Sequence, residues 1–246
     1  MKDYQRFFEK VNELIKQAQE SEKKKIEETA EISAKAIAQG GTLFMFGCGH
    51  AMISAEEVYY RAGGLIPINP IFGPGITMST RPLLYEADLE RSVEYGKIVA
   101  NLAKFGSKDV LYVMSNSGIN PTPVEMALEG KRRGIPVVGL TSMNYSPSVE
   151  QKHPSGKRLY EAVDIVINNH SPRGDAILEI EGVPQKVGAV SNIVNCILLC
   201  STMVQTISNL QQAGIEPPVF RSQNLPDGDE WNFKILEEYK DRLHYL

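Results

Sequence analysis

Cysteine is nearly absent: Cys48, Cys196 and Cys200 are the only three in 246 residues. That is too few for a disulfide framework and suits a reducing cytoplasm. Cys196 and Cys200 stand four apart in an apolar helical stretch, a spacing that reads as core packing. The four histidines are widely scattered, so no cluster has metal-ligand spacing, and neither a metal nor another cofactor is expected. Long apolar runs are missing as well. No stretch reaches the roughly 18 residues of a membrane span, and Met1 to Arg6 lacks the apolar core of a signal peptide. There is no excess of positive charge, since 26 basic against 30 acidic residues leave a net charge of −4. With no helix-turn-helix-like segment or basic face, nucleic acid is excluded as the main partner. Any anionic ligand must then be held by local geometry.

What is present is ordinary globular composition, 42% hydrophobic and 23% charged, in a chain long enough for one large α/β domain. The expected organisation is a single domain over 1–246, with N-terminal helices at about 3–39, a core at about 40–210 and a tail at about 211–246. An apolar stripe of Phe7, Val11, Leu14, Ile15 and Ala18 marks the first helical region. The mixed-charge run Glu22 to Glu28 is a solvated face or a break between two helices. Strand-like runs follow at 42–46, 65–70, 109–114, 135–140 and 164–168, the second near an edge because of its prolines. Helical patterns separate them, at about 50–61, 89–105, 124–133 and 189–209. Residues 72–88 read as a loop, and residues 217–224 as an extended polar tail before a last short helix. Strands alternating with helices imply right-handed crossovers and a parallel sheet covered on both faces.

Two strand-to-helix turns carry ligand chemistry. In the first, Gly47-Cys48-Gly49-His50 joins the opening strand to a helix. Glycine admits a ligand close to the backbone, and a helix start favours negative charge. In the second, Ser115-Asn116-Ser117-Gly118-Ile119-Asn120 sets hydroxyl and amide side chains around a glycine at a strand's carboxyl end. Hydroxyls and helix-start N–H groups can surround a phosphate without a cation. Simple N-capping is the rival reading of the same residues. Pro121 and Pro123 suit an early helix position, where a missing N–H costs nothing.

These two loops, with the strand ending Leu140-Thr141-Ser142, resemble the sugar isomerase (SIS) domain family. More narrowly, Gly47-x-Gly49-His50, Ala55-Glu56-Glu57-x-x-Tyr60-Arg61-Ala62-Gly63-Gly64-Leu65 and Pro217-Pro218-Val219-Phe220-x-Ser222-x-Asn224 resemble an uncharacterised bacterial branch of single-domain members. The resemblance covers nearly the whole chain. It implies an SIS-type three-layer α/β/α sandwich with a five-stranded parallel sheet, N-terminal helices and an extended C-terminal segment. It also implies a sugar phosphate ligand and a homodimer or homotetramer. Chemically defined relatives include phosphoheptose isomerases and N-acetylmuramic acid 6-phosphate etherases.

Carried onto this chain, the resemblance implies phosphate contacts from Gly47, Gly49, Ser115, Asn116, Ser117, Gly118, Asn120, Thr141 and Ser142, with Ser191 at the start of the last long helix. Asn120 stands where a third hydroxyl is usual, and an amide still donates to phosphate. His50 has two readings, ligand contact or capping and packing. The relatives carry a carboxylate near Arg61, one turn beyond Glu57. Glu57 and Arg61 share a helix face, so Glu57 either enters the cleft as a base or pairs with Arg61 at the surface. No histidine stands in Ser191-Asn192-Ile193-Val194-Asn195, where phosphoheptose isomerases have one, which leaves His170 as a substitute. Etherases use a second carboxylate ahead of the second loop, where Glu90 and Glu94 lie. The leading expectation is an aldose–ketose sugar-phosphate isomerase with Glu57 as base, His50 or His170 at the carbonyl oxygen and Arg61 stabilising negative charge. The alternatives are a lyase or etherase and a non-catalytic phosphosugar sensor.

Overall fold

The computed structural model describes residues 1–245. Apolar runs bounded by glycine, proline and asparagine become five strands: β1 (Leu43–Gly47), β2 (Ile68–Pro70), β3 (Val110–Met114), β4 (Val137–Thr141) and β5 (Ile165–Asn168). All pair in parallel in the order β2-β1-β3-β4-β5. Every residue of β1, β3 and β4 is buried, as strands covered on both faces require.

The alternation of β1 divides the core. Leu43 and Met45 face helices α2 (Lys23–Ala38), α3 (His50–Val58) and α7 (Ser191–Gln212). Phe44 and Phe46 face α5 (Val93–Leu102) and α6 (Pro121–Arg132). These are the two helix layers of the sandwich, and α1 (Asp3–Ser21) lies outside against α7. The N-terminal region is therefore two helices, hinged at Glu22.

Several expectations are corrected. The segment expected as one helix after a loop is two: α4 (Leu84–Glu90) starts inside the supposed loop, and Ser92 caps α5 by accepting from the Tyr95 N–H at 3.2 Å. An antiparallel hairpin, β6 (Ala176–Leu178) with β7 (Val187–Ala189), stands between β5 and α7. Its strands of three residues are too short for alternation to register. Helix α7 is long and apolar enough to cross a membrane by length and composition; Asn195, Thr202 and Thr206 interrupt its apolar run. Those three side chains are buried, and the helix packs on α2 and α3.

The tail is a clasp. Gly63 N–H donates to Phe220 O, Phe220 N–H to Gly64 O and Ile66 N–H to Pro218 O, at 2.8, 3.0 and 2.8 Å. Trp231 of α8 (Gly228–Tyr239) holds Val219 O through its indole N–H, and Asn69 of the edge strand bonds the backbone of Arg242 and His244. The motifs around Gly63-Gly64 and Pro217–Asn224 thus meet, and they cover the β2 edge.

Candidate active site

The strand order reverses direction between β1 and β3, since the chain moves from β1 outward to β2 and later resumes on the other side of β1. Ligands of open parallel sheets bind beyond the strand carboxyl ends at such a switch point. Gly47 and Met114 are register partners there, so the two loops leave the sheet side by side. Between them lies a cavity of about 310 Å³. Cys48, His50 and Ala51 from the first loop line it, as do Ser115, Asn116, Ser117 and Asn120 from the second. Its other walls are Glu90 at the end of α4, Tyr145, Gly174, Asp175, and Ser191, Asn192 and Asn195 at the start of α7. The lining holds neither lysine nor arginine.

The second loop is shaped by Gly118, whose φ is +62°. Its N–H donates to Ser115 Oγ at 3.3 Å, which leaves that hydroxyl's proton for another acceptor. Thr141 and Ser142 lie behind the loop. Thr141 Oγ1 and Ser142 N–H both donate to Asn116 O, at 3.1 and 3.0 Å, and Ser142 Oγ donates to Ser171 O. They buttress the loop and do not line the cavity.

Helix α6 opens with Pro121 and Pro123, so two of its first three residues have no N–H to offer an anion. At α7 the helix start is already occupied. Asp175 accepts from Val190 N–H, Ser191 N–H and Ser191 Oγ at 3.1, 2.7 and 2.7 Å. A carboxylate thus fills the position that a helix dipole favours for an anion.

Two carboxylates line the cavity, and with Asp175 engaged at the start of α7 the other is Glu90. Burial raises its pKa above the usual carboxylate range, against the opposing pull of the Asn120 amide, Arg91 and Lys152. Glu86, one turn earlier, faces Gly49: a Cβ added there would stand 2.9 Å from its Oε1. Its pKa is raised by burial and by the Glu90 charge. The buried Cys48 thiol beside them is pushed well up by desolvation and both carboxylates, which makes it a poor nucleophile.

Other expected site residues stand apart. Glu57 does not line the cavity; α3 ends at Val58, short of the helix expected to reach Arg61, and Glu57 pairs with Arg61 across the helix end on a half-exposed surface. Glu94 is exposed and pairs with Lys97. His170, in a left-handed conformation with φ +58°, turns away to the α1–α2 hinge. Its Nε2 is 3.0 Å from Glu22 Oε1 and 2.7 Å from Ser21 Oγ. Asn168 Oδ1 accepts from the N–H groups of Met143 and His170, so its Nδ2 donates to His170 Nδ1. That fixes the imidazole with its proton on Nε2, donating to Glu22.

Burial raises the Glu22 pKa, but hydrogen bonds from His170, Asn168 N–H and Ser21 bring it net below 4.5. A lowered carboxylate pKa stabilises the fold above the unfolded value, and that contribution fades as pH falls through the folded value. Glu22→Gln should therefore cost about 1–3 kcal/mol at pH 7, the scale of a hydrogen bond to a charged group. The gap from wild type should close below pH 4.5, the ordinary value; urea midpoints at pH 7 and below 4 check this.

The SIS domain family profile matches residues 6–142. A UPF0309 protein of Shouchella clausii is 39% identical over 242 residues, covering 98% of each chain. Among solved structures, a phosphoheptose isomerase from Francisella tularensis superposes with a TM-score of 0.56 at 15% identity, covering 84% of this chain and 97% of its own. The Vibrio vulnificus NanR protein complexed with ManNAc-6P gives 0.52 at 15% identity, covering 99% and 70%. With the five-stranded parallel sheet, its helix layers and more than half the chain inside the matching profile, the protein belongs to the SIS domain family.

Proposed function

We propose that this chain binds a sugar phosphate and interconverts its aldose and ketose forms by proton transfer through an enediol(ate). One observation carries the reading: a hydroxyl-rich glycine loop and a carboxylate of raised pKa open into the same cavity at the sheet's switch point. Ser115 and Ser117 hold the phosphate. Glu90 takes the role first expected of Glu57, removing the proton beside the carbonyl and returning it to the neighbouring carbon. His50, exposed on the cavity rim, donates to the carbonyl oxygen. The complex of a solved relative with ManNAc-6P supports the ligand class. The three unpaired cysteines suit a cytoplasmic setting, and the exposed Ile193, Ile197 and Val204 stripe of α7 is taken as a subunit contact.

A lyase or etherase is the second reading, favoured by the position of Glu90 and by amides in place of an imidazole at the start of α7. It begins with the same proton abstraction. Thermal-shift screening of pentose, hexose and heptose phosphates and N-acetylmannosamine 6-phosphate, followed by solvent-deuterium exchange on each binder, tests both readings. A binder that exchanges and forms the isomeric sugar supports the isomerase. Exchange with cleavage identifies the lyase, and binding without exchange leaves a binding module. In the same assay, Ser117→Ala should weaken the best binder by about 1–3 kcal/mol, the scale of a lost hydrogen bond to a charged group, with the fold intact. Unchanged affinity would remove this loop from the site.

A further inference from the structure

Asn169 is fully buried beneath the cavity floor. The N–H of Ser171 donates to its Oδ1 at 3.0 Å, which fixes the orientation of the amide, because a backbone nitrogen has no other role to play. Its Nδ2 must then face outward as a donor, and it meets Asn116 Oδ1 at 3.1 Å and Asn195 Oδ1 at 3.0 Å. Ser171 Oγ donates to the same Asn116 oxygen at 2.7 Å. The oxygens of both outer amides are thereby consumed inside the protein. Their NH2 groups are left for the cavity that Asn116 and Asn195 line from two different elements, the second loop and α7. A buried amide that locks two others sets two neutral donors beside one another in a lining without a cation.

We propose that Asn116 Nδ2 and Asn195 Nδ2 form a donor pair for the substrate's carbonyl oxygen, stabilising the enediolate, with Asn169 as the positioning residue that orients both. The proposal rests on the sugar-phosphate reading above. In the step, Glu90 takes the proton from the carbon beside the carbonyl. The C–H electron pair becomes the new C=C bond, and the carbonyl π pair moves onto oxygen. The negative charge that appears there meets donors already oriented, which costs no reorganisation at the moment of reaction. The proton of the neighbouring hydroxyl passes to the former carbonyl oxygen, which becomes a hydroxyl. The electron pair left on the second oxygen forms the new C=O as the C=C pair takes the proton back from Glu90 at the former carbonyl carbon. An amide donates without titrating, so this oxygen site keeps its polarity while Glu90 changes charge.

The probe is 5-phospho-D-arabinonohydroxamate, whose hydroxamate copies the adjacent oxygens of an enediolate; inorganic phosphate is the reference. Calorimetry should show wild type binding the hydroxamate at least tenfold tighter than phosphate. Asn195→Ala removes the cavity-facing donor without adding a charge that would repel phosphate. It should weaken the hydroxamate roughly 10- to 100-fold and leave phosphate affinity unchanged. Asn169→Ser, which loses the shared amide donor without adding a charge, should lower hydroxamate affinity alone. A parallel fall for hydroxamate and phosphate would show a merely structural role and overturn the pair, as would unchanged hydroxamate affinity. Wild type binding phosphate but preferring it over the hydroxamate would overturn the pair and spare the phosphate site. Binding of neither would overturn both.

Discussion

Glu90→Gln is expected to lower solvent-proton exchange at the carbon beside the carbonyl by about 10²–10⁴-fold, the usual worth of a positioned base. Sugar-phosphate binding should be nearly unchanged, since glutamine keeps the size and the contact with Asn120. Glu57→Gln should leave exchange close to wild type, because Glu57 pairs with Arg61 on a half-exposed face outside the cavity. The substitution also has a stability signature of defined sign. A carboxylate whose folded pKa is raised by burial binds its proton more tightly in the native state, so ionising it opposes folding. Glu90→Gln should therefore stabilise the protein at pH 7. The advantage should fade as pH falls toward the ordinary carboxylate value of 4.5. A variant that loses exchange while gaining stability separates a catalytic role from a structural one. Exchange persisting undiminished would move the base elsewhere, with His50 and Asp175 the next candidates in the cavity lining.

The sequence made the parallel sheet legible because β1, β3 and β4 are continuous buried runs, and both loops that line the cavity stand where such runs end. The side chains that reach the cavity were harder to read. Helical spacing put Glu57 and Arg61 on a common face but showed neither the direction of that face nor that α3 ends at Val58 and leaves Arg61 beyond it. The structure turns that face outward and brings in Glu90 from α4, a helix of seven residues that lay hidden in a segment rich in Gly, Pro, Ser and Thr. His170 stands at a strand's carboxyl end, as a site residue would. Its left-handed backbone and the hinge carboxylate Glu22, 148 residues away in sequence, send its ring in the other direction. Asn169 and Asn195 carried no local signal, since each acts through a partner contributed by another element. The clasp of the tail on β2 was likewise invisible as a contact, although both of its motifs had been singled out.

Gly118→Ala should damage both the fold and the site. At φ +62° an L side chain meets its own backbone, at a cost of roughly 1–2 kcal/mol. The added Cβ would also stand 2.8 Å from Thr141 Oγ1 and 3.0 Å from Ser146 Oγ. Thr141 is itself bonded to Asn116 O, so it cannot retreat without releasing the loop it supports. Forcing such an overpacked contact costs about 1–3 kcal/mol more. A total loss of about 2–5 kcal/mol is therefore expected in denaturant melts. If the chain relieves the contact by moving the loop instead, Ser115 and Ser117 leave the geometry proposed to surround phosphate. A displacement on the order of 1 Å is then enough to cost about 10²-fold in function. The two routes are distinguishable. Measured on folded protein at low temperature, a shifted loop gives lost phosphate affinity with a modest fall in stability, and a strained loop gives the reverse. Wild-type stability together with wild-type phosphate affinity would mean that this turn neither needs glycine nor holds the anion.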